Sequence, residues 1–478
     1  MASAENAQGT NIDLAKSYHG VSARLDRLPV GKWHKKMVFL FSCCIFCDGM
    51  DTFVGGGIIA NLLAQGWSTV ELNAAFSSLT MFGYFFGALL SGWLGDTFGR
   101  RRGLTINLTI FAIATFAGGF APSMEVLCGL RFIMGIGLGA AIPGSYGIQG
   151  EFIPPSKRGQ YSALVGMFGN FAPPIGAFIV MVTIPVFGWR PIFWGIGIMT
   201  GIVVFLVWKL MPESPRWLAS HGRNDEADEI VTMVEKSLED AGKTIEPISE
   251  EEVAAHAAAE SGEELPWSAL FRGSALPRLI TICAALMGMN IIIPTITNWT
   301  PTIFVLRGFD ATFSVGISVV MLIGAPVGIG ILSLLADKHP RKQGLVVTLI
   351  VTAICGYLWS CVPVDQVYLI MFIGFILCVL AYYYSLLACS VYIGEVFPTE
   401  LRARGSGFAN AMGRVTAILS PIWIQYLLNN VGAEAVYLVN GIICVAFAII
   451  IAIFGVETRG QTLEHLNDGI VEEATARK

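Results

Sequence analysis

Twelve apolar segments, each about as long as a membrane-spanning helix, constrain this chain more than any other feature. A spanning helix needs about 20 largely apolar residues. That window selects residues 37–60, 75–95, 104–121, 125–150, 161–187, 190–211, 277–304, 312–336, 344–362, 367–394, 406–428 and 434–456. Six segments precede a polar interval and six follow it. We therefore predict an all-α membrane protein with twelve transmembrane helices in two pseudo-symmetric six-helix bundles.

The composition supports a membrane protein and argues against several other classes. Apolar residues make up 54% of the chain and charged residues only 14%, whereas soluble domains carry roughly 25% charged residues. The net charge of −5 offers no basic face, so we expect no nucleic-acid partner. The ten cysteines show no metal-ligand spacing with a histidine. We expect buried thiols, no metal and no cofactor.

Basic residues cluster in alternate loops and predict the orientation. Lysine and arginine precede the first segment and follow the second, fourth, eighth and tenth, whereas loops 65–71, 122–125 and 364–367 carry none. The positive-inside rule then places both termini in the cytoplasm, and no apolar signal-peptide region precedes Met37. The predicted order is a cytoplasmic segment 1–36, a first bundle 37–211, a cytoplasmic linker 212–276, a second bundle 277–456 and a cytoplasmic tail 457–478.

The linker contains two charged, alanine- and glutamate-rich runs. Residues 225–231 and 250–259 each favour a short helix lying on the membrane face. Two interpretations stay open with equal weight, a solvated tether between the bundles and a packed regulatory latch.

A polar motif occurs at corresponding positions in the two halves. Gly95-Asp96-Thr97-Phe98-Gly99-Arg100-Arg101-Arg102 follows the second segment, and a weaker echo, 335–342, follows the eighth. We predict a charge network between the bundles at these loops, with Glu151 paired to Arg402 or Arg404 and Glu395 to Arg100 or Arg158. It would hold the outward-facing state, whereas the alternative is surface ion pairs worth about 0–1 kcal/mol each. The predicted network comprises Asp96, Arg100, Glu151, Arg158, Asp337, Glu395, Arg402 and Arg404.

Four polar runs, spread over essentially the whole chain, resemble motifs of a known family. They are residues 95–101, the stretch 150–159, Pro212-Glu213-Ser214-Pro215-Arg216-Trp217-Leu218, and the stretch 395–405. In order and spacing they resemble loop motifs of the major facilitator superfamily of secondary transporters. The last three are similar to signatures that follow helices 4, 6 and 10 of sugar porters. The resemblance implies alternating access around a site in the middle of the membrane.

Charged residues at membrane depth indicate a functional site more specifically than the loop motifs do. The first segment holds Asp48 and Asp51, and the fourth holds Arg131. Placing one charged side chain at mid-bilayer costs at least about 2.5–3.5 kcal/mol of free energy. We therefore expect these residues to have a functional or structural role. The spacing of three residues puts both aspartates near one face, and Arg131 is the expected partner of Asp51. A purely structural ion pair remains the alternative.

The residues around Asp48 and Asp51 resemble motifs of two different groups of transporters. Gly49-Met50-Asp51-Thr52 resembles the first helix of proton-coupled sugar porters, in which the aspartate is the proton site and the helix 4 arginine its partner. Residues 48–51 resemble the paired-aspartate motif of aromatic-acid/proton symporters, which implies a coupling role for Asp48 as well. The amides and tryptophan usual in hexose sites are replaced here by Asn170, residues 287–290 and Ser390.

Polar and aromatic residues on cavity-facing segments are the candidate substrate contacts. Such side chains suit a site that stacks on a ring and still donates hydrogen bonds, although lipid contact is an equal alternative for any one aromatic. Arg414 could attract an anion or snorkel towards the loops. The predicted contacts are Tyr146, Gln149, Asn170, Asn290, Asn298, Trp299, Tyr383, Tyr384 and Gln425.

These observations predict a transporter and not an enzyme. No phosphate-binding loop of the ATPase type occurs. The leading hypothesis is proton-coupled symport of a small aromatic or sugar-like acid across a bacterial inner membrane. The alternatives are a proton-coupled sugar or polyol porter and, more remotely, a metabolite receptor that signals through the linker. The predicted partners are a small molecule, protons and the lipid bilayer, and the predicted state is a monomer.

Overall fold

The computed structural model describes residues 17–139, 141–245, 253, 267–335, 340–397 and 399–458, and these contain helices and no strand. The predicted linker helix 250–259, apart from Val253, and Asp337 lie outside the described residues. The helices are α1 (Tyr18–Arg27), α2 (Lys32–Ala64), α3 (Val70–Phe98), α4 (Arg100–Gly118), α5 (Met124–Gly139 and Ala141–Phe152), α6 (Pro155–Phe187), α7 (Arg190–Leu210), α8 (Pro215–Ser220), α9 (Asn224–Glu239), α10 (Ala275–Leu306), α11 (Ala311–Leu332), α12 (Arg341–Ser360), α13 (Val367–Glu395), α14 (Thr399–Asn430) and α15 (Ala433–Phe454).

The all-α membrane fold is confirmed. A helix lies at every one of the predicted spans, and within the described residues ten helices are long and apolar enough to cross a membrane. The predicted spans 104–121 and 406–428 correspond to α4 and α14, which are not among the ten. Three arginines open α4, and α14 is polar over much of its length. Because α14 packs against α3 and α10, protein contacts shelter part of that polar surface.

Each half of the chain has its own hydrophobic core. One cluster is built mainly from α2 to α7 and the other from α10 to α15. Glycines allow the tightest packing in the first half. A Cβ atom at Gly83 of α3 would lie 2.1 Å from the Phe132 carbonyl oxygen of α5, and one at Gly135 would lie 2.3 Å from the Thr80 carbonyl oxygen. This close approach places the face of α5 that carries Arg131 against α3.

The two halves meet towards one end of the bundles. We call the end that carries Glu151, Arg341 and Glu395 the motif end, and the end that carries Glu71 and Asn429 the distal end. α2 packs on α10, α6 on α11, and α3 on α14. The Ser78 hydroxyl donates to the Ile418 carbonyl at 2.9 Å, and the Asn429 amide donates to the Glu71 carboxylate. The halves are therefore joined from mid-depth to the distal end.

The described part of the linker is packed and is not a free tether. Apolar side chains of α1, α8 and α9 form a third hydrophobic cluster. Arg24 of α1 is buried and donates to Asp228 at 2.6 Å and to Glu235 at 2.7 Å on α9. The Trp217 indole N–H donates to the Asp96 carbonyl at 2.8 Å, which ties α8 to the motif end of the first half. A regulatory role for this cluster stays a prediction.

Candidate functional site

A buried ion pair lies at the centre of the first half. Asp51 of α2 has no exposed surface and Arg131 of α5 is 2% exposed. The guanidinium Nη1 donates to the Asp51 carboxylate, so the structure joins the two residues that the sequence predicts as partners. The guanidinium also lies 4.2 Å from the ring centroid of Phe76 and 5.4 Å from that of Phe193. Aromatic faces attract a cation at such distances.

The pair is incompletely satisfied. Within the described residues, Asp51 Oδ1 and Arg131 Nε are buried and accept or donate no hydrogen bond. Removing one partner of a buried pair costs about 3–5 kcal/mol, because the other charge is left uncompensated. A buried pair with spare hydrogen-bonding capacity is therefore costly as a purely structural element, and such groups mark functional sites.

A small, partly open cavity lies beside this pair. Residues from both halves line it, and Arg131 forms part of its wall. Gly55 makes room for the guanidinium, because a Cβ atom there would lie 3.1 Å from Arg131 Nη2. The lining residues are Thr52, Gly55, Phe76, Ser77, Thr80, Met81, Arg131, Pro294, Asn298, Trp299, Ala417 and Pro421.

A π-turn in α10 forms the cavity wall that comes from the second half. Pro294 removes a backbone donor, and the five residues Thr295–Trp299 follow as a π-helix. Asn298 Oδ1 and Trp299 Nε1 are buried there without a hydrogen-bond partner among the described residues. These two predicted contacts therefore line the cavity with unused polar atoms. Single π-turns inside helices are frequent at functional sites.

A second charged cluster joins the two halves. Asp48 of α2 and Tyr84 of α3 are buried, and the Arg414 guanidinium of α14 lies 4.0 Å from the Tyr84 ring centroid. The charges of Asp48 and Arg414 both act on the Tyr84 hydroxyl. Tyr84 stands out in the sequence only as a tyrosine within an apolar helix, so sequence reasoning missed it.

Three further predicted contacts lie outside this cavity. Gln149 is fully buried, and neither its Oε1 nor its Nε2 has a hydrogen-bond partner in the described part of the chain. The Tyr146 hydroxyl faces Gly166 of α6, where a Cβ atom would lie 3.0 Å away. Tyr383 is half-buried on α13. None of the three lines the cavity beside Arg131.

Four other predicted contacts are engaged elsewhere. The amides of Asn170 and Asn290 donate to carbonyls of their own helices at 2.7 and 2.8 Å. The buried Tyr384 hydroxyl donates to the Ala285 carbonyl at 2.8 Å, which fixes α13 to α10 inside the second half. Gln425 lies near Glu71 at the distal end and not in the cavity. Their sequence positions gave no sign of these intramolecular bonds.

Among the described residues, the loop arginines Arg100 and Arg341 pair with carboxylates of their own halves. Arg100 contacts Asp96 at 2.5 Å and Glu151 at 2.8 Å, and Arg341 contacts Glu395 at 3.4 Å. In the described part of the chain, Glu151 and Glu395 thus contact arginines of their own halves and not the expected ones.

Three other members of the predicted network complete this description. Arg158 lies 4.0 Å from Asp26, and Arg404 lies over the Trp267 ring at 5.7 Å. The Arg402 side chain lies outside the described residues.

Comparisons with known proteins identify the family. The profile of the family described as sugar (and other) transporter matches residues 37–469. The inner membrane metabolite transport protein YdjE of Escherichia coli (strain K12) is 39% identical over 458 residues, which cover 95% of this chain and 99% of that protein. The niacin transporter NiaP of Acinetobacter baylyi (strain ATCC 33305 / BD413 / ADP1) is 30% identical over 449 residues, covering 93% of this chain and 99% of that protein.

A solved structure agrees at the level of the fold. The partially occluded inward open conformation of the xylose transporter XylE from Escherichia coli superposes with a TM-score of 0.72 at 19% identity, covering 90% of this chain and 100% of that chain. Family, length and fold all match those of multi-pass membrane transporters. The chain belongs to the sugar (and other) transporter family and is a secondary transporter of the major facilitator fold.

Proposed function

We propose that this protein carries a small organic acid, aromatic or sugar-like, together with a proton across a bacterial inner membrane. The observation that carries the proposal is the buried Asp51–Arg131 pair, which borders a cavity lined by both halves. The positive-inside pattern supports a cytoplasmic motif end.

Proton coupling follows from the chemistry of the pair. A carboxylate that gains or loses a guanidinium partner changes its proton affinity. Arg131 lines the cavity, so substrate binding and movement of the halves both act on its bond to Asp51. Opening that bond while the site faces one side of the membrane lets Asp51 exchange a proton with that side. Asp51 is therefore the proposed main proton site.

The chemistry of the cavity lining suits a ring that carries a carboxylate. Phe76 and Trp299 offer apolar faces, and Asn298 and the Trp299 indole offer unused polar atoms. Tyrosine and tryptophan suit substrates with one apolar and one polar part. The niacin transporter among the relatives supports this substrate class, since niacin is an aromatic monocarboxylate.

A sugar or polyol is the second candidate. Thr52, Ser77 and Thr80 contribute three hydroxyl-bearing side chains to the cavity lining, which suits a neutral substrate with several hydroxyl groups. The family description favours sugars as well. This alternative requires no cationic residue for the substrate.

Uptake into liposomes tests the proposal. Purified full-length protein should accumulate nicotinate or benzoate when the outside is acidic, and accumulation should fall as the outside pH rises towards the inside pH. Asp51→Asn should lower accumulation at least tenfold yet retain counterflow exchange. Lys209→Met, which removes a charge at the end of α7 far from the cavity, is the control. Accumulation of D-xylose alone, or full pH-driven accumulation by Asp51→Asn, would contradict the proposal.

A further inference from the structure

The π-turn of α10 is bonded at both ends to the last helix, α15. The turn is closed by two residues, because the Thr300 N–H donates to the Thr295 carbonyl. The hydroxyls of the same two threonines contact Tyr437 and Asn440 of α15. We propose that Tyr437 and Asn440 are positioning residues, which fix how the π-turn presents its polar atoms to the cavity. The inference goes beyond the proposed function, because it concerns the cavity wall whatever the substrate is.

The end of the turn at Thr300 is bonded to Tyr437. The two hydroxyl oxygens lie 2.7 Å apart, and Thr300 Oγ1 also donates to the Thr295 carbonyl at 3.2 Å. A hydroxyl has a single proton to donate, so the Tyr437 hydroxyl is the donor to Thr300 in this arrangement. All three residues are buried. The Tyr437 ring lies 4.8 Å from the ring of Trp359 on α12, between centroids, so packing also holds the hydroxyl in place.

The end of the turn at Thr295 is bonded to Asn440. Asn440 Nδ2 donates to Thr295 Oγ1 at 3.0 Å, and that hydroxyl donates to the Ile291 carbonyl at 2.7 Å. The Trp423 indole N–H of α14 donates to Asn440 Oδ1 at 3.0 Å. An indole nitrogen only donates, so it requires the amide oxygen and leaves the amide NH₂ for Thr295. One amide therefore joins α14 and α10, which both contribute to the cavity lining.

The bonds to α15 and the cavity lie on different faces of the turn. Asn298 and Trp299 belong to the cavity lining beside Arg131. Thr295, Tyr437 and Asn440 instead line a second small hollow between α10, α12, α13 and α15. A substitution on this second face therefore acts on a bound substrate through the turn.

The turn carries polar atoms whose direction matters for recognition. Asn298 Oδ1 and Trp299 Nε1 have no hydrogen-bond partner among the described residues, so the backbone that carries them sets where they point. A hydrogen bond weakens steeply when its donor and acceptor are misaligned. A small rotation of the turn would therefore cost a bond to the substrate. In this way α15 influences what the cavity recognises, although none of its described residues lines that cavity.

Two substitutions of Thr300 separate the hydroxyl from the shape of the side chain. Thr300→Val keeps the shape and removes the bond to Tyr437. Nicotinate binding to the purified full-length protein should weaken about three- to tenfold, the range that one neutral hydrogen bond spans. Hydrogen exchange of the backbone amides of residues 295–300 should become faster. Tyr437→Phe should match Thr300→Val, and the double variant should be no worse, because both changes remove the same bond.

The conservative variant distinguishes positioning from a merely structural role. Thr300→Ser keeps the hydroxyl but loses a buried methyl group, so it should be less stable and still bind nicotinate as the wild type does. If Thr300 acted through packing alone, the serine variant would bind more weakly than the valine variant. Thr295→Val and Thr295→Ser make the same comparison for the bond to Asn440.

Tyr392→Phe is the matched control for Tyr437→Phe. It also removes a buried tyrosine hydroxyl in the second half, one that donates to the Val456 carbonyl at 2.9 Å. Val456 lies just beyond the end of α15 that is far from Tyr437. The control variant should therefore keep wild-type affinity for nicotinate and wild-type exchange of residues 295–300.

The outcomes distinguish this inference from the proposed function. Wild-type affinity in both Thr300→Val and Tyr437→Phe would overturn the inference, with or without faster exchange, and so would an equal loss of affinity in Thr300→Ser. If the wild type binds D-xylose and not nicotinate, the proposed acid class fails, and D-xylose serves as the probe for the same variants. If it binds neither, faster exchange in Thr300→Val but not in Thr300→Ser supports the inference, and unchanged exchange overturns it.

Discussion

The Asp51–Arg131 pair and the Asp96–Arg100 pair are built from the same two side-chain types but lie in opposite environments. The first is buried at mid-membrane, with Asp51 fully inaccessible. In the second, the Asp96 side chain is 70% exposed at a loop. Water and salt screen an exposed pair, whereas a buried charge depends on its partner. Sequence motifs alone therefore do not rank charged residues by importance, because burial decides what each pair contributes.

The largest effect is expected from Arg131→Met, which leaves Asp51 buried without its cation. We expect a loss of about 3–5 kcal/mol in stability, measured by chemical denaturation in detergent. The double variant Asp51→Asn with Arg131→Met should recover much of that stability but not proton-driven uptake. An unchanged denaturation midpoint for Arg131→Met alone would mean that Asp51 can stay buried without its arginine partner.

An intermediate effect is expected from Arg24→Ala in the linker cluster. Its guanidinium is buried and contacts two carboxylates of α9, and hydrogen bonds to charged groups contribute about 1.5–3 kcal/mol. Faster amide hydrogen exchange over Val231–Leu238 should report the loss of α1 docking. Arg223→Ala is the matched control, because Arg223 pairs with Glu226 on the exposed surface. Equal exchange in both variants would contradict a docked α1.

The smallest effect is expected from Asp96→Asn. An exposed pair contributes about 0–1 kcal/mol, so the denaturation midpoint should barely change, and about 1 M salt should remove the remaining difference. The Asp96 backbone carbonyl, which accepts from Trp217, is untouched by this substitution. A stability loss as large as that of Arg131→Met would show that burial does not separate the two pairs.

The sequence predicted the helices and the central ion pair for clear physical reasons. Apolar segments of spanning length can satisfy their backbone only as helices. A lone arginine on a glycine-rich helix such as α5 needs an acidic partner, and Asp51 is at the matching depth. These constraints are local or nearly so, and they do not depend on the conformation of the transporter.

The remaining parts of the site depend on contacts that the sequence does not show. Tyr84 and Arg414 belong to different halves and meet only through the packing of α3 on α14. Tyr384 looks like a cavity residue until its bond to the Ala285 carbonyl is known. The sequence allowed Glu395 a partner in the other half, whereas the structure places it beside Arg341 of its own half. Such features require the tertiary structure of a particular state.

The π-turn in α10 gives the cavity wall a means of changing shape at little cost. The Thr300 N–H donates to the Thr295 carbonyl, five residues back. Since a π-turn is one residue wider than an α-turn, moving it by one position exchanges one backbone bond for another and leaves their number unchanged. Such a shift would rotate Asn298 and Trp299 relative to the part of α10 before Pro294. A second π-helix, Leu387–Tyr392, lies in α13. The second half thus contains two helices in which a π-turn could move along the chain in this way.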